Sequence, residues 1–176
     1  MRYNIEDIED QLLATLAASS ALSGVNRETH AGQIDQQMFL DPAYVGGLVT
    51  RLPFIYIQYI GRMTDVQRDV DSMMYDQVHG LRFRFYVGAQ SLRLRKESQR
   101  SAYAMLRAVY DAIHGKVPSP SPSISGPTLL SGTASTTTGF CPMSVFAPAG
   151  GIDEQMILLE KNICVYQTDY AVRMHA

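Results

Sequence analysis

Leu81-Arg-Phe-Arg-Phe-Tyr-Val87 is the stretch on which the reading of this chain turns. Successive side chains of a strand point to opposite faces, so Leu81, Phe83, Phe85 and Val87 fall on one side and Arg82, Arg84 and Tyr86 on the other. One dry face and one wet face belong to an antiparallel sheet covered on a single side.

The cover is legible on both flanks. After Gly88 and a short basic stretch, Glu97 to His114 takes helical spacing, with Ala102, Leu106, Val109, Tyr110 and Ile113 on one side. Gly115 and Pro118 terminate that helix. At the N-terminus, Ile5, Ile8, Leu12 and Leu16 make a second apolar stripe, Asn4 is placed to cap it, and the small run from Ala17 to Gly24 ends it.

Between these lie the other strands. Pro53-Phe-Ile-Tyr-Ile-Gln-Tyr-Ile60 is β-branched and aromatic, and Gly61 closes it. Residues 62–75 are polar and read as a connection, Val25 to His30 as a short strand, and Gly32, Asp41-Pro42 and Gly46-Gly47 break up the interval that follows it. Met156 to Leu159 and Ile163 to Met174 read as two strands, or as one long strand interrupted near Asn162. The expected architecture is α+β: a small antiparallel or mixed sheet of about four strands, with two helices packed on one face.

Residues 116–151 differ in character. Most of the prolines fall there, among Gly, Ser and Thr. A loop of that length inside a domain is usually functional or disordered. Leu129, Leu130, Phe140 and Phe146 are too apolar for a free linker, so the expectation is a segment, mobile over 118–151 in the isolated subunit, that orders against a partner or as a hairpin.

The whole chain, 1–176, reads as one domain, since 176 residues and 19.5 kDa suit a single core. A net charge of -2 and a pI near 6.0 argue against a protein that coats nucleic acid throughout. Cys141 and Cys164 fit no zinc spacing and are too few for a disulfide framework. No apolar run approaches a membrane span, and MRYNIEDIED is acidic where a signal peptide is basic, so the expectation is a soluble protein retained where it is made, with no membrane partner.

No catalytic motif survives inspection: there is no phosphate-cradling glycine loop, no GxSxG, no HExxH and no CxxC. His30, His79, His114 and His175 sit in separate segments, which speaks for surface histidines over a metal site, and Cys164 reads as a small core residue. No cofactor is implied. Glu6, Asp7, Glu9 and Asp10 crowd the first turns of a helix, where negative charge complements the dipole and a solvated face explains them. The basic residues are less simply explained. Arg82, Arg84, Arg93, Arg95, Lys96, Arg100 and Arg107 lie between positions 82 and 107, with Glu97 the only acid among them. Arg95 and Lys96 at a helix start oppose the dipole, a local rule broken where an interface compensates. Either they form a solvated face or they meet a polyanion or an acidic surface, for which the N-terminal acids of an adjacent subunit are a candidate.

The order of an acidic helix, LPFIYIQYIG, GLRFRFYVGAQ, ESQRSAYAMLRAVYDAIHG and NICVYQTDYAVRM resembles the Mu-like bacteriophage tail protein family, whose members resemble the tail terminators of long-tailed phages. That resemblance implies a virion protein, assembled in the host cytoplasm. It would form a homo-oligomeric, typically hexameric, ring on the head-proximal end of the tail tube, stopping tube growth and presenting a surface to the neck. Its partners would be tube and sheath protein, a head–tail connector, and DNA passing with weak, non-specific contact, for which Arg82 and Arg84 are channel-facing candidates. The family carries no catalytic residues. Arg93, Arg95, Lys96, Arg100, Glu6, Asp7, Glu9, Asp10, Leu129, Leu130, Phe140 and Phe146 are the interface candidates. Two alternatives are another neck or head-completion protein and a small nucleic-acid-binding module built on Phe83, Phe85 and Tyr86. Against the module, Phe83 and Phe85 share the core face of Leu81 and Val87. An enzyme is the least supported reading.

Overall fold

The computed structural model describes residues 4–30, 34, 52–68, 75–91, 93–118, 129–131, 146–148, 154–160 and 162–175. The chain runs through helix α1 (Ile5–Ala18), a 3-10 turn (Ser20–Leu22), and strands β1 (Asn26–Thr29), β2 (Phe54–Arg68) and β3 (Tyr75–Gln90). Helix α2 (Arg95–Ile113) follows, then the short strands β4 (Lys116–Val117), β5 (Leu130–Ser131) and β6 (Ala147–Pro148). The hairpin of β7 (Glu154–Glu160) and β8 (Ile163–His175) ends the chain.

Six strands form one mixed sheet in the order β1-β2-β3-β8-β6, with β7 also on β8, while β4 and β5 make a separate pair. The α+β class is as expected, with more strands than expected. Among the described strands only β1 on β2 is parallel, and the added members β1 and β6 are too short for a periodic signature. Gly61, at φ 141, sits where the β2–β3 register shifts between Tyr59 and Gly61, a bulge that a residue without Cβ accommodates. At the β7–β8 turn, Asn162 takes φ 63 and Glu160 pairs with Ile163, so the C-terminal region is two strands.

Residues 62–68 correct the expectation of a connection over 62–75. They continue β2, paired through to Arg68 opposite Tyr75. A polar segment becomes a strand there because backbone hydrogen bonds to a neighbour already in place hold it, without help from an apolar face.

The core lies between the helices and the sheet face bearing Leu81, Phe83, Phe85, Val87 and Ala89. Ile8, Leu12 and Leu16 come from α1 and Ala102, Leu106, Val109 and Ile113 from α2. Each fully buried Leu, Ile or Phe contributes about 1.5–3 kcal/mol, so this face dominates stability. The Phe85 ring meets Tyr170 edge-on at 5.3 Å, and Phe83 meets Phe146 at 6.0 Å. As expected, Cys164 is a buried core residue, its thiol pushed up to about 11 by burial.

The opposite face is not uniformly wet. Tyr86, expected in solvent, is 5% exposed and belongs to a second cluster with Phe54, Tyr56, Ile163 and Val165, flanked by Ile34, Leu52, Ile157 and Leu158. Four consecutive buried residues, Phe54 to Ile57, show why: this end of β2 is dry on both sides.

Two substitutions test this packing. Phe85→Asp is expected to abolish folding, since an unpaired charge on the buried face costs several kcal/mol, whereas Arg84→Ala should retain the fold; far-UV circular dichroism distinguishes the two. A Cβ on Gly88 would overlap the Phe54 ring. Gly88→Ala is therefore expected to lower stability by about 1–3 kcal/mol in urea denaturation.

Candidate functional site

The charged residues fall into three groups. On the outer sheet face, Arg84 stands directly opposite Asp169 of β8. Its Nε and Nη2 donate to the Asp169 carboxylate at 2.8 and 2.9 Å, and Nη2 of Arg82 donates to the same Oδ2 at 3.2 Å. The side chains of Arg82 and Arg84 are about one-third exposed and that of Asp169 is 9% exposed. The hydrogen bonds it donates to Asp169 hold the Arg84 guanidinium above its ordinary pKa, against the effect of burial. In the next row the Tyr86 hydroxyl donates to Oε1 of Gln58 at 3.1 Å. The two proposed channel-facing arginines thus share one carboxylate and present a single net positive charge.

The second group is the entry to α2. Arg93, Leu94, Arg95, Lys96 and Arg100 are all exposed, Leu94 at 60%. Leu94 at the N-cap has no side-chain hydrogen bond, so serines do the work. The Ser91 hydroxyl donates to Oε2 of Glu97 at 2.7 Å and accepts from the backbone N–H groups of Arg93 and Leu94 at 3.1 and 3.3 Å. Fully buried Ser98 donates to the Asn162 carbonyl at 2.6 Å and accepts from the Ser91 N–H at 2.7 Å. The basic turn is therefore tied to the β7–β8 turn. Sequence reasoning missed both serines: the partner of Ser98 is 64 residues away, whereas the Ser91 hydroxyl bonds to groups two to six residues on, a local capping signal that was legible.

In the third group, Glu6, Asp7 and Asp10 are exposed at the start of α1, where Asn4 Oδ1 accepts from the Glu6 N–H at 3.2 Å. Glu9 is half-buried, and burial, with the charges of Asp10 and Glu6, pushes its pKa up against a hydrogen bond from the Tyr59 backbone.

The apolar candidates divide differently. Leu129 and Phe146, expected between subunits, are buried inside this one, at 6% and 0% exposure. The Leu129 N–H donates to Oγ1 of Thr15 at 2.8 Å, and Phe146 exchanges backbone hydrogen bonds with Gly115 and Lys116 at 3.0 and 2.7 Å. They are corrected from interface to core residues, because both pack into the cluster formed by α1, α2 and the sheet. The backbone of Leu130 pairs with that of Val117. Phe140, and most of the stretch expected to be mobile, lie outside the described residues.

Among the described residues no group of three or more His, Cys, Asp or Glu is placed to hold a metal ion. No described helix is long and apolar enough to cross a membrane. An open cleft of about 360 Å³ between the C-terminal ends of the helices is lined in part by Thr15, Asp111, Lys116 and Leu129.

No family model and no curated protein matches the chain. Among solved structures, a chain from the "Virion of native gene transfer agent (GTA) particle" aligns with 99% of this chain and 100% of its own length, at 13% identity and a TM-score of 0.48.

Two titratable sites give measurable expectations. Asp169→Ala should cost about 1–3 kcal/mol in denaturant unfolding, because two part-buried guanidinium groups lose their acceptor, whereas Arg82→Ala should cost less than about 1 kcal/mol. Because the pKa of Glu9 is raised in the fold, its contribution to stability is present below its ordinary pKa and is lost as pH rises through the raised one. Glu9→Gln should therefore raise the melting temperature at pH 7 relative to wild type, and the gain should vanish below about pH 4.

Proposed function

We propose that this chain is a structural virion protein without enzymatic activity, which caps the head-proximal end of a phage tail tube as a homo-oligomeric ring. The observation that carries this reading is the outer edge of β2, which no described strand accompanies beyond Ile57. β2 and β3 stay paired through Arg68 and Tyr75, and β8 follows β3 to His175 opposite Val78. On its outer side β2 is paired with β1 only over Phe54–Ile57, and no described strand accompanies residues 58–68 there. A long strand edge favours pairing with another chain, and an adjacent subunit is the usual cover in an assembly.

The resemblance in element order to Mu-like tail proteins supplies the place of action: the head-proximal end, with tube and sheath on one side and a connector or neck protein on the other. A head-to-tail contact closes into a ring when its rotation suits, and a hexamer is the expected closure. Arg82 and Arg84, neutralised in part by Asp169, suit a channel wall that attracts DNA weakly and lets it pass.

Native mass spectrometry of the purified protein and images of tails assembled with and without it test the reading. The expected outcome is a closed ring of several copies at the head-proximal end, with overlong or headless tails when the protein is missing. Rings bound to heads rather than to tube ends would move the protein to the neck. A single copy per particle would overturn the reading.

A further inference from the structure

The exposed face of α2 carries a pattern that fold and sheet edge leave unused. At 100° per residue, Lys96, Arg100, Tyr103, Arg107, Tyr110 and His114 fall within one arc of about 80°, running about 27 Å along the helix. All six are exposed, including Tyr103 at 50% and Tyr110 at 39%. Tyr110, expected among the core positions of this helix, stands instead with the arginines. Among the described residues none of the stripe's cations forms an ion pair, since the two ion pairs join Arg82 and Arg84 to Asp169.

Both tyrosines are held in place. The Tyr166 hydroxyl donates to that of Tyr103 at 3.2 Å with the rings 5.5 Å apart, and Tyr110 stacks on His114 at 4.5 Å and 12°. Side chains already fixed lose little entropy on binding, and Tyr and Arg are the residues on which interfaces most depend.

We infer that this stripe docks the outer face of α1 from a second copy of the chain. Charge complementarity selects that occupant. Glu6, Asp7 and Asp10 are the exposed acids of α1, and Ala17 and Ala18 further along it are exposed and small. Arginines of the stripe meet the acids, and the tyrosine rings lie on the alanine surface, where a helix backbone can approach closely. A polyanion fits less well, because the exposed carboxylate of Asp111 borders the stripe one turn after Arg107. The inference rests on the assembly reading only in taking a second copy as the partner. It moves the contact from the basic turn at 93–100 to the length of the helix.

Analytical ultracentrifugation of the full chain at micromolar concentration tests it, with folding checked by circular dichroism and melting temperature. Arg100→Glu with Arg107→Glu, and separately Glu6→Lys with Asp10→Lys, should each weaken self-association by at least about tenfold. Mixing the two folded double variants should restore association to near the wild-type level. Failure of the mixture to associate, or a wild-type chain that stays monomeric, overturns the docking. So does a duplex oligonucleotide whose binding is lost in the Arg variant while self-association is unchanged, because the stripe would then serve a polyanion. Restored association that yields only two-fold dimers supports the docking and removes the ring-forming cap.

Discussion

Everything in this molecule is arranged around the apolar face of β3. Leu81, Phe83, Phe85, Val87 and Ala89 are each at most 3% exposed, and the strand is paired on both sides, with β2 and with β8. A central strand paired on both sides and with a dry face fixes its neighbours' registers, since a slip of one residue would turn that face to water. Both helices then have only one surface on which to bury their stripes, and the ends of the 116–151 segment, Val117, Leu129 and Phe146, fill what the helices leave open.

The polar interactions follow from that register. Asp169 meets Arg84 because the two are partners across β3 and β8, and it reaches Arg82 from the same face. Ser98 is buried because α2 begins where β3 ends, over the β7–β8 turn, and its hydroxyl satisfies the Asn162 carbonyl. Such contacts contribute modestly to stability, but they orient the basic start of α2 and hold its exposed side outward.

Function, on this reading, lies in surfaces and not in a pocket. The outer edge of β2 offers backbone groups, while α2 offers fixed tyrosines and cations with no ion-pair partner among the described residues. Edge pairing is strong but unselective, because every strand has the same backbone groups. Charge and aromatic contacts on the helix supply the selectivity that edges lack.

The sequence by itself determined the elements whose burial is periodic: α1 with its Asn4 cap, the core face of β3, and the α2 positions Ala102, Leu106, Val109 and Ile113. In each, one amphipathic face repeats often enough to be read locally. Tertiary structure alone decided the rest. The strand character of residues 62–68 comes from pairing with β3, the dryness of Tyr86 from Phe54, Tyr56 and Val165, and the burial of Leu129 and Phe146 from gaps left by other elements. Tyr110 left the core for the stripe because the angular position of a helix residue tells only which face it shares, and the docking of α2 on β3 and β8 settles which face is inside. These outcomes depend on contacts between residues far apart in the chain, which no local pattern encodes.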